Sequence, residues 1–195
     1  MRQEPNEHQD FERNWWGTCA NTYGEEAKQT VYATLMGIEH DTTSYRYPTY
    51  KTHNKKILDL GGGPTSILLK CENIAPGTTV VDPCDYPNWV KERYKHCGIN
   101  YIQKTAEEYK GKNYDEVWIY NVLQHVENPK TIIENAKKAA PKLRIFDWLE
   151  TQPTIGHPHT LHADELNDWI GATGQVGYIN ENGCVGLAYY GELTF

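Results

Sequence analysis

From Lys55 to the C-terminus, short apolar and β-branched runs alternate with segments in which apolar residues recur every three or four positions. This switching between period two and period 3.6 is the pattern of a parallel sheet with helices packed on its faces. "KKILDLG", "TTVVDP", "INYIQ", "YDEVWIY" and "LRIFDWL" read as strands, and a helix or helix-like turn is expected after each of the first four. After the first, Gly63 and Pro64 mark a helix start ahead of Ile67, Leu68 and Cys71, since proline at the first helical position loses no hydrogen bond. Asn128 and Pro129 repeat the device before Ile132, Ile133, Ala136 and Ala140. "HADELNDWIGATG" places Leu166, Trp169 and Ile170 on one face and stops at glycine, with His162 as the cap and Glu165 completing a capping box. Upstream, "GEEAKQTVYATLMG" spaces Ala27, Val31 and Leu35 at four-residue intervals and predicts another helix.

After Gly174 the pattern becomes strand, "NENG" turn, strand, and so tight a turn joins only antiparallel strands. The fold class expected is α/β: a doubly wound, mostly parallel, seven-stranded sheet with a C-terminal antiparallel hairpin and helices on both faces. The 195 residues suit a single domain, with 1–50 as an N-terminal helical segment and connection and 51–195 as the core and hairpin. "EHDTTSYRYPTYKTHN" is polar and Tyr-rich, and reads as a connection into the first strand.

Charge narrows the partners. Lys and Arg total 19 against 26 Asp and Glu, and a net charge of −7 argues against nucleic acid, which needs clustered positive charge. No apolar run approaches the roughly 20 residues of a membrane span, and "MRQEPNEHQD" lacks the apolar centre of a signal peptide. A cytoplasmic protein without a membrane partner is expected, as monomer or homodimer. The 5 cysteines show no C-x-x-C pair, which points to reduced thiols rather than disulfides or a zinc knuckle.

The glycines of "KKILDLGGGPTS" bring a ligand against backbone N–H groups without Cβ obstruction. A dinucleotide fingerprint would want a third glycine where Ser66 stands. Asp59 lies two places before the first glycine, suited to a positively charged amino group. Asp82 closes the second strand 21 residues after Gly61, suited to both hydroxyls of a ribose. That spacing fits NAD and adenosyl cofactors alike.

"ILDLGGGPTSILL", "VVDP", "AEEY" and "YDEVWIYNVLQHVENPKTIIENAKKAAPKLRIFDWLE", in this order, resemble a class I S-adenosylmethionine-dependent methyltransferase from about Lys55 to the C-terminus. The resemblance implies that Asp59, Gly61, Gly62 and Gly63 hold the methionine part of the cofactor. It gives Asp82 to the ribose and sets Pro83 and Cys84 beside the adenine. Thr105 and Ala106 stand where the family often has an acidic residue and a small one, leaving the Ala106 N–H as the adenine contact. Asn121 and Val122 would lie beside the methionine and the sulfonium. The product would be S-adenosylhomocysteine, the acceptor a small molecule, and "NWWGTCANTYGEE" part of a helical lid, with Trp15, Trp16 and Tyr23 as candidate substrate contacts. Alternatives are a catalytically silent S-adenosylmethionine-binding module and an NAD-dependent oxidoreductase.

Methyl transfer from a sulfonium is an in-line displacement, so the protein must position the nucleophile and exclude water, with a general base optional. His125, four residues after Asn121, is the catalytic candidate. The competing reading is a structural turn in which the imidazole satisfies backbone carbonyls. His157 and His159, in the loop after the fifth strand, are further substrate-pocket candidates. No metal is expected.

Overall fold

The computed structural model describes residues 7–19, 21–41 and 48–195. Part of the Tyr-rich connection, 42–47, lies outside them. The main sheet is built from β1 (Ile57–Leu60), β2 (Thr79–Asp82), β3 (Asn100–Gln103), β4 (Glu116–Tyr120), β5 (Lys142–Trp148), β6 (Gln175–Glu181) and β7 (Cys184–Thr194). Its spatial order is β3-β2-β1-β4-β5-β7-β6, and only β7 runs against its neighbours. β1, β2 and β4 are buried at every position, as strands covered on both faces must be, whereas β6 at the edge is mostly exposed. The strand order reverses between β1 and β4, which opens a crevice at their carboxyl ends.

On one face, Ile132, Ile133 and Ala136 of α4 (Pro129–Ala139) pack with Leu166 and Ile170 of α5 (Ala163–Ile170) over Val117 and Leu143. The other face carries Val31, Tyr32 and Met36 of α2 (Thr22–Leu35 with its cap) and Val90 and Tyr94 of α3 (Asn88–His96). A further helix, α1 (Glu7–Trp16), precedes these, and three short strands at 40–41, 49–51 and 71–72 form a small second sheet.

Three local expectations are corrected. The helix-like element expected after β1 is there, but as two 3-10 turns, Gly63–Thr65 and Ile67–Lys70, and not as the one helix that Gly63 and Pro64 marked, because Ser66 is extended at φ −49, ψ 144. The buried face of α2 is Gln29, Val31, Tyr32 and Ala33, while Ala27 is exposed, because the helix turns Gln29 onto the Thr65 carbonyl. His162 occupies the cap position of α5 without a side-chain cap bond; the helix ends at Gly171 in the left-handed region, as the glycine predicts.

At the amino ends of β4 and β5, buried Arg144 bonds Glu116 at 2.7 Å and the carbonyls of Met36 and Gly37 at 2.8 and 2.7 Å. Lys55 reaches the second Glu116 oxygen at 2.5 Å, and the Trp118 indole N–H donates at 3.0 Å. This network fastens the end of α2 to the sheet.

Candidate active site

β1 runs straight into Gly61, Gly62 and Gly63. A Cβ on Gly61, at φ +77, would come within 2.5 Å of the Val122 side chain, and one on Gly62 within 2.6 Å of the Asp59 carboxylate. Only bare backbone passes here. Two buried tyrosine hydroxyls brace the turn. Tyr94 accepts from the Ser66 N–H at 3.1 Å and donates to the Gly63 carbonyl at 2.6 Å. Tyr120 accepts from the Ile67 N–H at 3.1 Å and donates to Asp59 Oδ2 at 2.8 Å. Ser66 Oγ donates to the same Asp59 oxygen at 2.5 Å. The side chain that departs from the dinucleotide fingerprint therefore orients Asp59.

Asp59 itself is fully buried behind Gly62, and its Oδ1 has no hydrogen-bond partner among the described residues. It does not line the cavity in front of the glycines, so it supports the turn from beneath instead of forming part of the cavity wall. Burial pushes its carboxyl up to about 7 against the pull of the Ser66 and Tyr120 hydroxyls.

That cavity occupies the crevice at the carboxyl ends of the central strands. Gly61, Gly62, Gly63, Asp82, Pro83, Cys84, Thr105, Ala106, Asn121 and Val122 all line it. Asp82 accepts from the N–H groups of Gly63 at 3.0 Å and Cys84 at 2.9 Å, which fix its rotamer and leave further lone pairs for a diol. Burial raises its carboxyl, while these N–H bonds draw it back. Asn121 closes β4 at φ 56, a left-handed conformation that Asn tolerates, and its side-chain oxygen accepts from Gln124 at 3.1 Å. The N–H groups of Val122 and Leu123 donate to buried Asp147 at 3.1 and 2.7 Å, setting the path toward His125.

His125 Nδ1 lies 3.1 Å from Glu12 Oε1 and 2.7 Å from the Gly156 carbonyl. Burial alone would push the imidazole down, but the hydrogen bond and charge of Glu12 outweigh it and raise it above its ordinary value. A second cavity, of about 1050 Å³, adjoins the first: Glu12, Trp16, Glu25, Asn121 and His125 line both. Trp15 and His157 line only the second. Two candidates are not brought to either cavity. Tyr23 is 89% exposed at the start of α2, and His159 Nε2 lies against the Glu127 carbonyl at 3.1 Å.

Glu12, Glu25, Glu107 and Tyr120 are the residues that sequence reasoning missed. Tyr120 had a signal, a polar ring inside an apolar strand. Glu12 had none, since 113 positions separate it from His125.

Among the described residues, the carboxylates of Glu12, Glu25, Asp82 and Glu107 line the first cavity and no Lys or Arg does. Such a lining repels pyrophosphate and suits a ligand carrying a sulfonium, an ammonium and a ribose diol. The residues present thus fit S-adenosylmethionine better than NAD, and the glycine cradle leaves its backbone accessible.

Residues 58–141 match the family model of a methyltransferase domain. No curated protein matches the chain. Among solved structures, the fold is similar to that of the 1,6-didemethyltoxoflavin-N1-methyltransferase of Burkholderia thailandensis, determined with 1,6-didemethyltoxoflavin and S-adenosylhomocysteine bound. The identity is 15% and the TM-score 0.60, over 94% of this chain and 85% of that one. The magnesium protoporphyrin IX methyltransferase of Synechocystis, with S-adenosylmethionine bound, gives 13% identity and a TM-score of 0.61 over 98% of both chains. The N-methyltransferase of Bradyrhizobium japonicum, in complex with S-adenosylhomocysteine, gives 15% and 0.55 over 95% of this chain and 97% of that one. At such identities the likeness is one of fold, and the family match extends over residues 58–141. Strand order, glycine turn and the family match over residues 58–141 together support a class I S-adenosylmethionine-dependent methyltransferase domain.

Proposed function

We propose that a methyl group passes from S-adenosylmethionine in the first cavity to a small molecule in the second, at the wall the two share. The observation that carries this reading is that one set of residues, Asn121, His125, Glu12, Glu25 and Trp16, lines both cavities. Bound in the first cavity, the cofactor supplies an electrophilic methyl on a sulfonium that is already a good leaving group. Gly61 to Gly63 and Asn121 hold its methionine part, Asp82 its ribose, and Pro83, Cys84, Thr105 and Ala106 border its adenine. Val122 keeps the Gly61 turn close to β4. α1, within the 1–50 segment, contributes Glu12 and Trp16 to the wall of both chambers; 51–195 forms the core.

The acceptors named for two relatives in fold, didemethyltoxoflavin and magnesium protoporphyrin IX, are small molecules and support the same class here. Among the described residues no helix is long and apolar enough to cross a membrane. The acidic, reduced chain is read as cytoplasmic, acting without nucleic acid as a monomer or homodimer. Calorimetry with S-adenosylmethionine, S-adenosylhomocysteine and NAD tests the cofactor: binding of the two adenosyl ligands and not NAD is expected, and binding of NAD alone would overturn the reading.

A further inference from the structure

We propose that the second cavity takes a flat aromatic acceptor carrying an ionisable O–H or N–H, and that Glu12 is the positioning residue that holds His125 to receive that proton. This rests on the methyltransferase reading above and names the acceptor class and proton path of the same site.

Phe11, Trp15, Trp16 and Trp148 put four aromatic rings into the wall of the second cavity, beside the polar side chains of Glu12, Glu25, Lys28, Gln124 and Thr151. Phe11 and Trp15 of α1 lie nearly parallel, 6.1 Å apart at 14°. Trp148 lies over Gly186, where a Cβ would meet its ring at 3.2 Å, so that floor is bare backbone and indole. Phe11, Trp15 and Val185 are 36%, 48% and 63% exposed, a group of large apolar side chains left in water around one chamber. A small aliphatic amine or alcohol would leave these surfaces wet, whereas a planar ring system stacks on them.

The proton path follows from hydrogen-bonding capacity. Glu12 and the Gly156 carbonyl are acceptors, so His125 Nδ1 bears a hydrogen. In the neutral ring Nε2 then holds the lone pair, which accepts from the Gln124 side-chain N–H at 3.3 Å and takes the acceptor proton once that bond is released; it belongs to a residue lining both cavities. Glu12 is itself fixed, because its other oxygen accepts from the Trp16 indole N–H at 3.0 Å. On transfer, a bond forms between the acceptor oxygen or nitrogen and the methyl carbon. The carbon–sulfur bond breaks with its electron pair left on sulfur, and the acceptor proton passes to His125 Nε2. Glu12 balances the imidazolium charge. The titratable groups around His125 are Glu12 from α1, Asp147 from β5 and His157 from the following loop with its ring 4.5 Å away, while Glu25 and Lys28 of α2, paired at 2.6 Å, line the same cavity.

The test uses the full chain, tritiated S-adenosylmethionine, and a naphthol and a hydroxyquinoline as ring probes against ethanolamine and glycerol. Saturation-transfer NMR reads binding and label incorporation reads transfer. Both ring probes are expected to bind, with label entering at least one ring product and neither aliphatic probe. Trp15→Ala should weaken ring binding about tenfold while S-adenosylhomocysteine affinity by calorimetry holds. Glu12→Gln should lower kcat by roughly 10- to 100-fold with KM for the ring little changed, and move the acidic limb of the kcat profile to lower pH. An unmoved limb overturns the role of Glu12. Ring probes that bind without transfer overturn the proton path, and ring probes that fail to bind while S-adenosylhomocysteine binds overturn the acceptor class. Loss of S-adenosylhomocysteine binding in the unmodified protein would instead overturn the methyltransferase reading itself.

Discussion

Replacing Asp59 with asparagine keeps the shape of the side chain and an oxygen to accept from Ser66 and Tyr120, and removes only the ionisable charge. Burial, with Oδ1 unpartnered, holds the folded-state carboxyl at about 7, while in the unfolded chain an aspartate titrates near about 3.9. Between those values the unfolded chain gives up its proton and the folded chain keeps it. The contribution of Asp59 to stability is therefore fully present below about pH 4 and is lost as pH rises through about 7. The full difference is on the order of 4 kcal/mol at about 1.4 kcal/mol per unit, of which about 2.5 falls between about pH 5 and pH 8. Urea unfolding of the ligand-free protein at those two pH values is the assay. Unfolding free energy of the natural chain should fall by about 2.5 kcal/mol more than that of Asp59→Asn. Asp82 and Asp147, also raised by burial, contribute in the same sense to both proteins and cancel in the comparison. Parallel pH profiles would show that the folded chain tolerates the Asp59 charge, and the argument from burial would fail.

Glu116 has the opposite sign: although burial opposes it, Arg144, Lys55 and the Trp118 N–H hold its carboxyl down at about 2. Its stabilisation, about 3 kcal/mol, is present above about pH 4.3 and lost as pH falls toward 2, so Glu116→Gln should flatten the acid limb of a circular-dichroism unfolding profile. An acid limb equally steep in the variant would count against that network. Tyr120→Phe leaves the Ile67 N–H without its acceptor and Asp59 with one donor, and should cost about 1–3 kcal/mol by denaturant titration; no change would mean the brace is idle. Asp82→Ala should weaken S-adenosylhomocysteine binding by about 1.5–3 kcal/mol in calorimetry, and unchanged affinity would move the ribose elsewhere.

The central strands were legible because burial on both faces writes continuous apolar runs, and the hairpin because "NENG" admits one geometry. The wall of the first cavity was legible for a related reason: its residues sit at strand ends, where sequence position and spatial position coincide. What lay beyond reading was set by partners distant in sequence. Ser66 looked like a missing glycine until Asp59 and Tyr94 were seen to hold it, and the turn after β1 stayed 3-10 because of those bonds. Glu12 meets His125 only because α1 lies across the sheet end, a packing outcome with no local signature. Tyr23 shared an aromatic-rich segment with Trp16 but falls on the outer side of α2.

The position of α1 also bears on the order of events. Because Glu12 and Trp16 line both cavities, the two proposed chambers have one wall in common. Neither ligand's arrival or departure is then indifferent to the other. Steady-state kinetics should accordingly follow a compulsory sequence, with a product that inhibits competitively against one substrate only, and a single ten-residue helix would be setting the rhythm of the catalytic cycle.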